Sequence, residues 1–128
     1  MKPTGIVSDI LSLKGRAAWA IAPEATVFEA IQLMADKNVG AVLVTEGGKL
    51  VGIISERDYT RKVVLRGKSS KTTAVREILS SQVIYVSPTH TVEECLRLMT
   101  DRHIRHLPVL EGDKIVGIVS IGDLVNWI

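Results

Sequence analysis

The chain is 128 residues long, 46% hydrophobic and 4% aromatic, with a formal net charge of +2. That size suits one compact domain or two half-size units sharing a core, and the hydrophobic share argues against disorder. The small charge gives no case for nucleic acid, and the single cysteine, Cys95, excludes an intrachain disulfide framework and points to a reducing compartment, here read as the cytoplasm. Asp9, Lys14 and Arg16 interrupt the N-terminal apolar stretch, so it does not read as a signal peptide. No apolar run reaches the length of a membrane span.

An internal repeat governs the architecture. Ile21–Val63 aligns with Val86–Ile128 at a constant offset of 65, without a gap, and sixteen of the 43 pairs are identical. Upstream, Val7-Ser8-Asp9-Ile10-Leu11-Ser12 echoes Val75-Arg76-Glu77-Ile78-Leu79-Ser80 at an offset of 68. Each copy is therefore expected to open with a short helix, the first one stopped by Gly15. A short strand should follow, over Trp19–Ala22 and over Val83–Ser87, each ended by a proline, Pro23 or Pro88. Thr26-Val27-Phe28-Glu29 and Thr91-Val92-Glu93-Glu94 both fit the capping box that starts a helix. Val27, Ala30, Ile31 and Met34 then fall at i, i+3, i+4 and i+7, as do Val92, Cys95, Leu96 and Met99, which marks one buried stripe on each helix.

Two β-branched-rich segments follow in each copy, Gly40–Thr45 with Leu50–Ser55 and Arg105–Leu110 with Ile115–Ser120. Their glycine-containing connections read as hairpin turns. A last helix is expected from Ser55 to about Arg66, stopped by Gly67, and another from Ser120 to the end of the chain. The fold class is thus α+β: two β-α-β-β-α units, each preceded by a helix, packed with pseudo-twofold symmetry. Residues 5–67 form the first domain, 68–73 a polar linker and 74–128 the second domain.

Three constellations could carry chemistry. Gly52–Asp58 (GIISERD) and Gly117–Asp123 (GIVSIGD) share Gly-apolar-apolar-Ser-x-x-Asp while their spacers differ. Ser55 and Ser120 with Asp58 and Asp123 read as helix caps if taken singly, but their recurrence in both copies shifts the reading toward a carboxylate site for a ribose diol, with the glycine allowing close approach of a flat ligand. Arg102–Pro108 (RHIRHLP) sets Arg105 and His106 where the first copy has Gly40 and Ala41. That is either a solvated strand edge or an anion subsite. The cations Arg57, Arg61, Lys62, Arg66, Lys68, Lys71 and Arg76 form a basic run, a solvated face or a phosphate-facing one. Only Tyr59 beside them could stack on a base, so nucleic acid is not the favoured partner. Catalytic signals are missing. Cys95 lies on a buried stripe, and His90, His103 and His106 show no metal-ligand spacing, so neither an enzyme nor a metal site is expected.

With these residues in view, the chain resembles the CBS domains, tandem pairs of which form Bateman modules. The resemblance rests on the duplicated unit, the T-V-x-E helix starts, the two G-[IV]-[IV]-S-x-x-D endings and the R-H-L-P-V strand, and it extends from about Gly5 to Ile128. It implies a stand-alone regulatory pair with no enzyme attached. Such a pair binds an adenosine-containing ligand in clefts between its repeats: AMP or NAD(H) in this subgroup, with ATP, ADP and S-adenosylmethionine behind them. By the same resemblance Asp58 and Asp123, with Ser55 and Ser120, hold ribose. Ile21, Ala22 and Pro23, with Val86, Ser87 and Pro88, frame adenine. Arg105 and His106, joined by Arg57, Lys71 and Thr72, face phosphate. A homodimer without membrane attachment is implied. The rival reading is an interaction scaffold whose clefts stay empty.

Overall fold

The computed structural model describes residues 4–79 and 82–128. In chain order it contains helix α1 (Val7–Lys14), strand β1 (Ala20–Ile21), helix α2 (Val27–Lys37) and strands β2 (Ala41–Glu46) and β3 (Lys49–Ser55). Helix α3 (Glu56–Tyr59) runs into a π-helical stretch (Thr60–Val64), and a 3₁₀ turn follows at Val75–Glu77. Helix α4 (Val92–Arg102), strands β4 (His106–Glu111) and β5 (Lys114–Ser120) and helix α5 (Ile121–Trp127) complete the second copy. The α+β class is the one expected.

The two long helices start as their sequence dictates. Thr26 Oγ1 accepts from Glu29 N at 3.1 Å while the Glu29 carboxylate accepts from Thr26 N, and Thr91 with Glu94 repeats both bonds. Both helices end on a left-handed residue that is not glycine, Asn38 at φ 55° and His103 at φ 56°. A short polar side chain tolerates that region better than most, and the backbone N–H of each closes the last turn. His103 of the RHIRHLP stretch is thereby a helix terminator. Val27, Ala30 and Met34 of α2 are buried, as are Val92, Cys95 and Met99 of α4.

β2 and β3 pair antiparallel, with β1 parallel to β2 on the other side, and β4 pairs antiparallel with β5. The register slips after Val44 and at the equivalent position after Val109. In the first hairpin Gly47 and Gly48 both have positive φ, the requirement of a two-residue type I′ turn.

The chain forms two compact units, one from residues 19–83 (the first unit) and one joining the residues up to Ala18 to 84–128 (the second). This grouping differs from a division by repeat at 5–67, 68–73 and 74–128. The segment that opens each copy packs on the other copy's sheet. In the second unit α1 lies across the start of α4: Val92 N donates to Gly5 O, Val7 N to His90 O and Ser8 N to Pro88 O. In the first unit Val27 N donates to Thr73 O, Val75 N to Ala25 O and Arg76 N to Pro23 O. These are the same three bonds, shifted by the two repeat offsets. Residues 68–73, expected as a linker, form turns whose carbonyls cap α2: Phe28 N donates to Ser70 O at 3.0 Å.

Each unit has its own core. Val7, Ile10 and Leu11 of α1 are buried with Val92, Cys95, Met99, Leu107, Val109, Val119 and Leu124 in the second. Val75 and Ile78 do the corresponding work with Val27, Met34, Val44, Ile54 and Val63 in the first.

Three expectations change in detail. Of the expected helix 75–80, Val75–Glu77 forms one 3₁₀ turn, and Ser80 lies outside the described residues. Val83–Ser87 is no strand: only Val86 bridges to Val109, donating to Pro108 O and accepting from Leu110 N. The helix after Ser55 keeps α-geometry for four residues, then widens, with Leu65 N donating to Thr60 O.

Candidate functional site

Both Ser-x-x-Asp motifs stand where a strand gives way to a helix. Ser120 ends β5 and caps α5, its Oγ accepting from Asp123 N at 3.1 Å, while Asp123 Oδ2 accepts from Ser120 N at 2.8 Å. Ser55 and Asp58 form the same box, and here Ser55 Oγ lies 3.0 Å from Asp58 Oδ2 as well. Capping is thus part of both motifs.

Each carboxylate also meets a lysine, and the two lysines come from different places. Lys62, one turn on from Asp58, has Nζ 3.5 Å from Oδ1 and donates to Ile78 O at 3.0 Å. Lys14, at the end of α1, donates to Asp123 Oδ2 at 2.6 Å and to Ile118 O at 2.8 Å. Burial alone would push the Asp123 carboxyl up. The bond from Lys14, the Ser120 N–H and the lysine charge outweigh it and hold the group below its ordinary value. Oδ1 of Asp123 has no protein partner among the described residues. Asp123 lines a groove of about 410 Å³ together with Ile10, Leu13, Lys14, Asn126 and Trp127.

The motif glycines have a different task from the one expected. A Cβ on Gly117 would lie 2.8 Å from Leu11 Cδ2, and one on Gly52 2.9 Å from Leu79 Cδ2. On its Cβ side each glycine admits a leucine of the opening segment, which fills the space there.

His106 is the first residue of β4 and pairs directly with Ser120, so it lies at the same sheet end as Asp123. Arg105 beside it is exposed, and its carbonyl accepts from Ile121 N, the amide that opens α5. Arg105, His106, Ser120 and Asp123 therefore gather in one unit. Arg57, Lys71 and Thr72 belong to the other. Arg57 sits in α3, Thr72 N donates to Ser69 O, and Lys71 Nζ lies 5.2 Å over the Phe28 ring.

The segments expected to frame adenine are already engaged. Pro23 and Pro88 are buried, and their carbonyls accept from Arg76 N and Ser8 N. Ile21 lies in β1 opposite Val44, and the Ala22 carbonyl accepts from Ala25 N. The Ser87 N–H donates to His90 Nδ1 at 2.9 Å. Val86 N is spent on Pro108 O and proline has no N–H, so residues 86–88 keep no free backbone donor. A carbonyl has two lone pairs, so this stretch can still accept from an exocyclic amine.

Sequence reasoning overlooked both lysines as partners of the carboxylates. The i,i+4 spacing of Asp58 and Lys62 could have revealed one. Nothing local could have revealed Lys14. Burial, then the neighbouring Glu94 charge, pushes the Cys95 thiol up to about 11, as suits a core residue. Among the described residues no three His, Cys, Asp or Glu side chains are grouped as metal ligands, and no helix is long and apolar enough to cross a membrane.

Comparison with known proteins adds family context. The family model described as "CBS domain" matches residues 7–65 and 75–128. The mitochondrial CBS domain-containing protein CBSX3 of Arabidopsis thaliana is 41% identical over 94% of this chain. The chain spans 63% of that protein's length. A solved structure of a protein with CBS domains from Burkholderia ambifaria is 48% identical, with TM-score 0.92 over 95% of this chain and 92% of its own. The CBS domain pair of protein MJ0100, solved with 5′-methylthioadenosine and S-adenosyl-L-methionine, is 25% identical with TM-score 0.85, covering 97% and 95%.

Proposed function

Because this chain belongs to the CBS-domain family, we propose that it is a regulatory module that binds an adenine nucleotide at its Ser-x-x-Asp junctions and passes the binding on as a change in shape or partner affinity. AMP and NAD(H) are the favoured ligands, ahead of ATP, ADP and S-adenosylmethionine. One observation carries this reading. Asp123, held by its cap through Oδ2, lines a groove, with His106 and Arg105 at the same sheet end. A fixed carboxylate suits a ribose diol, and a planar donor fork suits phosphate. The adenosyl ligands named for the MJ0100 pair point the same way.

The asymmetry between copies makes the second the stronger nucleotide site. Gly40 and Ala41 offer no side-chain donor where Arg105 and His106 stand. Arg57, Lys71 and Thr72 are the candidate phosphate donors of the first. The reducing environment of the cytoplasm is the proposed compartment, although the Arabidopsis relative is mitochondrial.

Calorimetric titration with adenosine, AMP and NAD is the test. Asp123→Ala is expected to weaken AMP about 10- to 150-fold, the worth of about 1.5–3 kcal/mol for a hydrogen bond to a charged group, and Asp58→Ala to do so only if the first site fills. AMP should bind more tightly than adenosine, and the gap should narrow in Arg105→Ala. Unchanged affinity in both Asp variants would reduce these carboxylates to caps. No binding by the wild type would favour the scaffold reading.

We also propose self-association as a C₂ homodimer. Leu13 on α1 is 77% exposed, and Val125 and Ile128 at the α5 end are 59% and 60% exposed. Among solved relatives, a CBS-CP12 protein is hexameric. Light scattering at micromolar concentration should return twice the chain mass. A monomer would remove the dimer and a hexamer would replace it.

A further inference from the structure

We propose that Lys14 is an internal competitor for Asp123, so that a diol ligand at the second site binds at the expense of the contact tying the end of α1 to α5. This inference rests on the ligand reading given above and adds a regulatory step to it.

The argument starts from the lone pairs of one oxygen. Asp123 Oδ2 accepts from Ser120 N at 2.8 Å and from Lys14 Nζ at 2.6 Å, which fills it. A diol that grips a carboxylate side-on, one hydroxyl to each oxygen, needs a free acceptor site on both. Oδ1 is open and Oδ2 is not. The Ser120 bond is fixed by the helix cap, so the lysine is the partner that can leave. Its side chain is 30% exposed and it lines the groove, so water can replace the carboxylate; its remaining bond, to Ile118 O at 2.8 Å, must also yield before the end of α1 loosens.

Release would be local. Val7, Ile10 and Leu11 anchor the first turns of α1 in the core, whereas Leu13 is largely exposed and Gly15 follows Lys14 directly. Only the last turn of α1 need loosen. The first unit lacks this coupling. Lys62 comes from the same copy as Asp58, sits one turn away, approaches Oδ1 and leaves Oδ2 to the cap. A ligand there would displace a contact within one stretch of helix, and would reach the segment opening the second copy only indirectly, through the bond from Lys62 to Ile78 O. The two carboxylates are therefore unequal: Asp123 is tied directly to a residue of a segment distant in sequence, Asp58 only through Lys62 of its own helix. A ligand shifts such an equilibrium only by its different affinities for the latched and released states, and the latched fraction lowers apparent affinity.

The test uses the full chain, with Lys14→Met and Lys14→Arg, titrated with adenosine and with AMP at fixed ionic strength. Hydrogen exchange of residues 11–15 is followed with and without saturating adenosine. Adenosine carries no phosphate, so it isolates the competition. It is expected to bind Lys14→Met about 2- to 5-fold more tightly than wild type, and Lys14→Arg nearly as wild type. The gain for AMP should be smaller, because the lost ammonium also attracts phosphate. Adenosine should speed exchange at the end of α1 in the wild type. Should Lys14→Met fail to fold, Lys14→Gln serves the same comparison. Binding that is equal or weaker in the neutral variant, or α1 exchange unmoved at saturation, overturns the proposal while leaving the ligand reading intact. If neither wild type nor the neutral variant binds adenosine, AMP or NAD, the ligand reading falls and this one with it.

Discussion

Asp123 carries three duties at one carboxylate: it caps α5, pairs with Lys14 and keeps an oxygen open. Its folded-state pKa is lowered, so the folded chain prefers the ionised form more than the unfolded chain does. The sign follows directly. The stabilisation is present above the unfolded value of about 3.8 and is lost as pH falls through the lower folded value. Wild type should therefore lose stability on acidification below about pH 4 more steeply than Asp123→Asn, which cannot titrate. Urea unfolding of both between pH 2.5 and 5 checks this, and parallel curves would count against the Lys14 pair. The cap itself was legible in the sequence, because Ser-x-x-Asp is complete within four residues. The lysine opposite was not, because its partner lies 109 positions along the chain.

At the scale of elements, the glycine inside each second hairpin strand sets how closely a neighbour can approach. Leu11 is 1% exposed and has little room to withdraw from a Cβ on Gly117. Gly117→Ala should cost about 1–3 kcal/mol, the usual range for overpacking. Leu11→Ala alone leaves a cavity, and the double variant should be less destabilised than the sum of the two singles. Thermal unfolding of the three variants measures that coupling, and strict additivity would show that the leucine moves freely. The capped helices, the hairpins and their turns were readable, since spacing and turn chemistry act over a few residues. The purpose of the glycines was not, because the leucines that need them come from the opening segments. Val83–Ser87 misled for a related reason. It has strand composition, yet only Val86 finds ladder partners, and the Ser87 N–H is taken by His90, where the first copy has Ala25.

For the whole molecule, the repeat was plain from sequence and its pairing was not. Each opening segment is assigned by sequence to the copy it precedes, and each packs on the other copy's sheet. Periodicity reveals that a segment has an apolar face but not which sheet that face will cover. Val7, Ile10 and Leu11 are at most 3% exposed, and burying each contributes about 1.5–3 kcal/mol. Removing residues 1–14 should therefore unfold or loosen the second unit first. Amide exchange should rise through α4 before it rises through α2. Equal loss of protection in both helices would mean that the units do not respond separately.

Trp127 donates to Thr4 O at 2.6 Å and rests against Gly5, where any side chain would collide with its ring. One compact unit is thus stitched from the two extremes of a long stretch of chain. During synthesis, the residues of the first unit can emerge and close while α1 still waits without its sheet. The second unit cannot form until the last of its residues has left the ribosome, and its closing contact spans 123 positions. The apolar face of α1 is therefore without its partner throughout the synthesis of the first unit, and needs shelter for that time.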